Sequence, residues 1–324
     1  MRKDTAKRVW ESLGELGYIP HAASRIVSKR RLVGLLINPI LEVHSAELIV
    51  RFHESASILG YDVLTRTIGE SSQQTANHLQ IFLDRKVDGI AALVLNPDSL
   101  LTEALSLVDI PLVCCESNRA VRRGAALSID YLRGVREGIQ HLALLGHREI
   151  AFIGSAVGQL ATKQKAEAFL LALQEIGCRP NRLIEADSSF AGGIAGMERL
   201  IASNPVPTAV LCSCDPVALG ALWVLWRASI SVPEGISLIC LDDCPFAEWM
   251  APPVTTVQIS VEHIAKTALE ALQNIIENPL ANAVNSVLKV PTSLVVRGST
   301  SYPPGRALPK SNQGDTQIEQ PSAL

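Results

Sequence analysis

From residue 32 onward, short apolar runs alternate with segments whose apolar positions recur at steps of three and four. The runs 32–38, 61–66, 89–95, 111–115 and 126–129 read as strands, and 45–59, 71–86 and 98–108 between them as helices. The strands are nearly continuous in apolar residues, which suits a parallel sheet covered on both faces. At Glu149 the rhythm restarts. Strands are expected at 149–154, 182–186, 208–213 and 236–241, and helices at 163–176, 191–203 and 216–229. A further helix over 261–277 and two strands, 286–290 and 293–297, follow. The pattern predicts an α/β chain with two doubly wound parallel-sheet subdomains. Ligands of such sheets bind at the carboxyl ends of strands, so the expectation is a pair of lobes around a cleft for a small polar ligand, not one sheet.

Before residue 32 the pattern differs. Ala6, Val9, Trp10, Leu13 and Leu16 mark an amphipathic helix over 5–16, capped by Asp4 or Thr5 and ended by Gly17. Pro20 breaks the chain, and a second short helix is expected over 21–29. The stretch from Tyr302 is rich in Pro, Ser, Gln and Gly and reads as disordered.

Composition narrows the class. The 324 residues are 48% hydrophobic and 19% charged, enough apolar material for a core. The longest apolar stretches are too short to span a bilayer, and the N-terminus lacks the apolar segment of a secretory signal, so a cytoplasmic protein is expected. The net charge of −3 is unevenly placed. Residues 1–31 hold eight basic and three acidic residues, a net +5. The remainder holds 21 and 29, a net −8. A basic arm on an acidic body points to a polyanion, and a solvated terminal helix is the plainer alternative.

Known chemistries leave little trace. The seven cysteines are odd in number and suit a reducing compartment. Cys212-x-Cys214 and Cys240-x3-Cys244 lack the spacing of common zinc sites and read as small buried residues, so no metal is expected. No dinucleotide fingerprint, phosphate loop, nucleophile elbow or zinc-protease motif occurs, so neither an enzyme nor a cofactor is expected. Gly192-Gly193-x-x-Gly196 reads as punctuation at a helix start. His147 stands at a helix-to-strand junction and reads as structural. Trp223 and Trp226 read as core or dimer packing.

Several segments, in order, resemble the lactose-repressor (LacI/GalR) family of transcription regulators. They include Glu15-Leu16-Gly17-Tyr18-Ile19-Pro20, Lys86-Val87-Asp88-Gly89-Ile90 and His141-Leu142-x2-Leu145-Gly146-His147-Arg148. Further on come Asp215-x2-Ala218-Leu219-Gly220-Ala221, Asp242-Asp243, Pro252-Pro253-x-Thr255-Thr256-Val257 and Leu294-Val295-Val296-Arg297-Gly298-Ser299. The resemblance runs from about residue 5 to 300. It implies a DNA-binding headpiece, a hinge helix and a periplasmic-binding-protein-like core that forms homodimers or tetramers, binds operator DNA and answers to a sugar-like effector.

On this resemblance the parts are 1–31, partial headpiece and hinge; 32–155 plus 259–282, first subdomain; 156–258 plus 283–300, second subdomain; and 301–324, tail. In the family a helix-turn-helix precedes the stretch matching 5–20. The chain starts at what matches the third helix, which implies a headpiece without its recognition helix, through a late start codon or a true truncation. In the hinge, Ile26 or Val27 matches the apolar wedge of the minor groove, and Arg25, Lys29, Arg30 and Arg31 match phosphate contacts.

For the effector, Asp242 matches an Asp that accepts from ligand hydroxyls. Lys165, with Lys163 beside it, stands where the family has Arg; Cys214 replaces an Asn; Ser188 takes an aromatic position, with Phe190 two residues on. Asp130 and Glu116 end strands near the cleft, and Asp130 suits a helix cap as well. The stretches Lys163-Gln164-Lys165 and Ser188-Ser189 resemble the gluconate-repressor branch, and a pair of ammonium groups suits a sugar acid. The function implied is a regulator, a repressor of carbohydrate or sugar-acid metabolism. The alternative is a ligand-binding remnant without sequence-specific DNA binding. Asp242→Ala is expected to remove effector binding without unfolding the chain.

Overall fold

The computed structural model describes residues 31–39, 43–69, 71–94, 99–106, 108–115, 124–155, 160–178, 182–278 and 286–305. The first lobe opens with β1 (Arg31–Ile37), α1 (Val43–Ile58), β2 (Tyr61–Thr67), α2 (Ser72–Asp84), β3 (Gly89–Leu93), α3 (Ser99–Ser106), β4 (Leu112–Cys115) and β5 (Gly124–Asp130). The second holds α4 (Tyr131–Leu145), β6 (Ile150–Gly154), α5 (Leu160–Glu175), β7 (Leu183–Glu185), α6 (Phe190–Ile201), β8 (Ala209–Cys212), α7 (Asp215–Arg227), β9 (Ser237–Cys240) and β10 (Thr255–Ile259). Helix α8 (Val261–Glu277) and strand β11 (Ser286–Val295) follow.

Alternation along the strands builds each lobe from both faces. Val33, Leu35 and Ile37 of β1 meet Phe52 of α1 and Ala265 and Leu272 of α8. Leu36, on the opposite face, meets Phe82 of α2. In the second lobe Ala151 and Ile153 of β6 face Met197 of α6 and Val217 of α7, while Ile150 and Phe152 face Ile139 of α4 and Phe169 of α5. Two sandwiched sheets therefore carry four separate apolar clusters, as period-2 strands covered on both sides require.

The two expected terminal strands are one. Residues 286–291 of β11 pair parallel with β5, and 292–295 pair antiparallel with β10. Backbone hydrogen bonding therefore runs unbroken through β11 and, contrary to the expectation of no single sheet, joins the strands of both lobes in one, in the order β2-β1-β3-β4-β5-β11-β10-β9-β8-β6-β7, although the cores stay divided between two lobes. The expected break between two strands fell at Pro291, which the strand instead carries at its crossing between lobes.

Pairing also moves the expected boundaries. Strand β6, placed with the first subdomain, pairs with β7 and β8. Residues 286–291, placed with the second, pair with β5 of the first. The chain passes between lobes at Asp130–Tyr131, at 259–261 and within β11. Two of these crossings are tied together: the Thr292 hydroxyl donates to the Asp130 carbonyl (2.8 Å) and accepts from the Gly134 amide (2.9 Å). The expected tail also begins later than 301, because the Ser301 amide donates to Ser237 Oγ (3.0 Å).

Gly146 ends α4 with φ of 105°, a conformation that glycine adopts at little cost. His147 after it is buried. Its Nε2 faces the Ser301 carbonyl (2.8 Å) and must carry the proton, leaving Nδ1 to accept from Thr208 Oγ1 (2.8 Å). Burial pushes this imidazole below its usual range. The unfolded chain then takes up a proton that the folded one refuses, so stability falls as pH drops below about 6.5. Urea midpoints across this range are expected to decline on acidification, and less steeply in His147→Gln; equal slopes would remove His147 from the account.

Candidate functional site

Strand carboxyl ends from both lobes meet around Lys165. Its α5 backbone position turns the side chain inward, where only 6% of it stays exposed. The ammonium donates to Asp242 Oδ1 at 2.7 Å and to the Ser213 carbonyl at 2.9 Å. It also lies 5.2 Å from the centre of the Tyr131 ring. Burial works against the charge, but Asp242, through its own charge and hydrogen bond, holds Lys165 above the ordinary range. The ammonium is thus fully engaged by protein groups. Asp242, with 19% of its side chain exposed, keeps a second oxygen that Lys165 does not occupy.

Asp242 and Asp243 follow β9 and part ways. Asp242 turns to Lys165. Asp243 accepts from Arg297 Nη2 (2.9 Å), Thr256 Oγ1 (2.8 Å) and Gln258 Nε2 (2.7 Å), so it serves the body of the lobe. Cys214 precedes α7 without a side-chain capping bond. Asp215, the first residue of that helix, is buried; Cys240 Sγ donates to its Oδ1 at 3.4 Å. Burial first, and then the charge of Asp242, push the Asp215 carboxyl upward. His44, from α1 of the opposite lobe, places Nε2 3.9 Å from Asp215 Oδ2.

The thiols stay protonated. Burial drives Cys212, Cys214 and Cys240 up, and Cys244 up to about 12. They are poor nucleophiles and poor metal ligands in that state. Among the described residues, no group of three or more His, Cys, Asp or Glu side chains is placed to hold a metal ion.

The expected site residues separate into those that converge and those that do not. Asp242, Lys165 and Cys214 lie together. Lys163 does not join Lys165 as an ammonium pair: it is exposed and faces Glu167 at 3.9 Å. Two positions along a helix turn about 200°, which carries neighbouring lysines to opposite sides. Ser188 is exposed, and Phe190 sets its ring edge-on to Trp223 at 6.4 Å. Trp223 is two turns along α7 from Asp215, about 12 Å by helical rise, so its ring contact with Phe190 lies away from that helix start.

Asp130 caps α4 by accepting from the Arg133 amide (3.3 Å). Arg31 opens β1 and donates to Glu277 (2.7 Å) and Tyr61 (3.1 Å), so the body of the lobe engages its charge. Glu116, Arg25, Ile26, Val27, Lys29 and Arg30 lie outside the described residues.

Sequence reasoning missed Tyr131, Ser213, Asp215 and His44. Asp215 was visible only as the head of a family motif, and His44 carried no motif. Nothing local marks the encounter of α1 with α7. Trp226 was read as core or dimer packing; it is 77% exposed, which excludes the core.

Comparison with known proteins agrees with this architecture. A periplasmic binding protein-like domain matches residues 139–300. The HTH-type transcriptional repressor PurR of Glaesserella parasuis serovar 5 is 28% identical over 305 residues, covering 92% of this chain and 90% of that protein. A crystal structure of the lac repressor dimer bound to operator and an anti-inducer superposes with a TM-score of 0.76 at 21% identity, covering 91% of this chain and 89% of the other. A complex of the transcriptional regulator CelR with cellobiose gives 0.72 at 26% identity, covering 92% and 91%.

Proposed function

This chain belongs to the family of periplasmic-binding-protein-like domains in its LacI-type regulators, and we propose that it represses transcription under control of a small effector held between its lobes. The observation that carries this reading is the convergence of Asp242 and Lys165 with the Asp215 helix start at the carboxyl ends of the neighbouring strands β8 and β9. A carboxylate held at a fixed angle, with one oxygen left over, accepts from hydroxyl donors. The effector is a sugar or sugar acid. A ligand with differential affinity for two lobe arrangements would shift the population that binds operator DNA.

The protein acts in the cytoplasm. No helix among the described residues is long and apolar enough to cross a membrane. It acts as a homodimer or tetramer. Trp226 and Trp249 of the second lobe are 77% and 79% exposed, apolar side chains that such an assembly could cover.

Thermal shift against a panel of sugars and sugar acids, paired with DNA selection and a salt-titrated binding assay, tests the proposal. A true effector at a hundred times its Kd adds about 2.7 kcal/mol. The expected result is one ligand class that raises the melting temperature and changes DNA affinity. Melting unaffected by every ligand at millimolar concentration would end the sensing claim. A ligand shift without selected DNA would leave the sensor but remove the repressor.

A further inference from the structure

The ion pair between His44 and Asp215 borders the effector site proposed above, since Asp215 starts one of its helices, and it joins two lobes. His44 stands in the first turn of α1, which follows β1. Asp215 is the first residue of α7, which follows β8. The two helix starts face each other with Nε2 and Oδ2 3.9 Å apart, and the side chains are 23% and 9% exposed. The three chain crossings, at Asp130–Tyr131, at 259–261 and at Pro291–Thr292, are the points about which lobes of this kind turn.

We propose that His44 and Asp215 form a proton-operated latch across the cleft: a charged imidazole draws the lobes together, and a neutral one releases them. Histidine is the side chain whose ordinary charge change falls between pH 5 and 8. Among the described residues, the charged and titratable groups named beside the pair have partners of their own. Asp242 repels Asp215 and is itself held by Lys165. Cys240 Sγ donates to Asp215 and stays protonated, as does Cys244. On α1, Glu47 faces Arg51 at 3.8 Å. Among the described residues, an imidazolium at His44 supplies the cross-lobe attraction for the Asp215 carboxylate. The cleft excludes much of the solvent from Asp215, which raises the worth of that attraction over an exposed pair.

The latch is read from lobe separation alone, so its test needs neither DNA nor effector and can fail separately from the proposed function. Small-angle scattering of the full chain at about pH 8 and about pH 6 reads lobe separation, with circular dichroism confirming the fold at both values. The wild type is expected to contract reversibly on acidification. His44→Gln and Asp215→Asn are expected to lose that contraction, and His44→Lys is expected to stay contracted at both values. A wild type of unchanged dimensions, or a His44→Gln protein that contracts as the wild type does, overturns the latch. Asp215→Asn keeps the shape of the side chain and its thiol contact. Should it nonetheless fail to fold, His44→Gln and His44→Lys decide alone.

Discussion

Asp242→Ala is expected to destabilise the folded chain by roughly 3 kcal/mol, the low end for breaking a buried ion pair. The sequence suggested a mutation that would silence the ligand site and leave the fold alone. The ion pair with Lys165 adds a cost in stability to that expectation. Without Asp242, the Lys165 ammonium keeps only the Ser213 carbonyl and the Tyr131 ring, in a position almost closed to water. The partial exposure of Asp242 admits some solvent to the gap and keeps the cost from the top of the range. Lys165→Met is expected to cost less, since a carboxylate with 19% exposure can recover hydration. The double variant Lys165→Met with Asp242→Leu is expected to regain much of the loss, because it removes both charges at once. Urea denaturation of the four proteins reads this directly, provided the slopes agree. A loss under about 1 kcal/mol in Asp242→Ala would mean that the pair is solvated and the site more open than described.

Gly220→Ala is expected to cost roughly 3 kcal/mol and to disturb the cleft with it. Helix propensity argues the opposite, since Ala is better than Gly in a helix interior by about 1 kcal/mol. Sterics decide the sign. A Cβ on Gly220 would stand 2.8 Å from the Ile194 amide nitrogen, and closer still to the Phe190 carbonyl oxygen. Gly193 on the facing helix is equally tight against the backbone of Val217. The obstructing atoms are main chain, which cannot swing aside as a flexible side chain could. Helices α6 and α7 must separate, and α7 carries Asp215 at its start. Thermal unfolding is expected to shift down by several degrees, with the contraction at low pH reduced. A Gly220→Ala protein more stable than the wild type would show that the helices yield and that propensity governs.

The repeated Gly in Gly192-Gly193-x-x-Gly196 illustrates what a local reading misses. Punctuation of a helix start was its plain interpretation, and Ser189 does cap α6 by accepting from the Gly192 amide at 3.0 Å. Yet Gly193 and Gly196 lie inside the helix. They are small because Val217 of α7 and Ile153 of β6 press against them. His147 shows the converse. Its position after Gly146 marked it as structural, and the buried strut to Thr208 and Ser301 has that character. Lysines 163 and 165 stand between these cases. Their helical phase already separates them, so the pairing of two ammonium groups could have been rejected from spacing alone.

By itself the sequence determined the alternation of strands and helices, the restart of that rhythm in a second half and the cap at Asp130. Each depends on residues within a turn or two, where periodicity and backbone preference act without outside help. Only the tertiary structure decided that β11 crosses between lobes, that β6 lies beyond the boundary, that Lys165 spans 77 positions to Asp242 and that His44 meets Asp215. The reason is physical: a buried charge takes its value from whichever group the fold sets against it, and nothing in the neighbouring residues names that group.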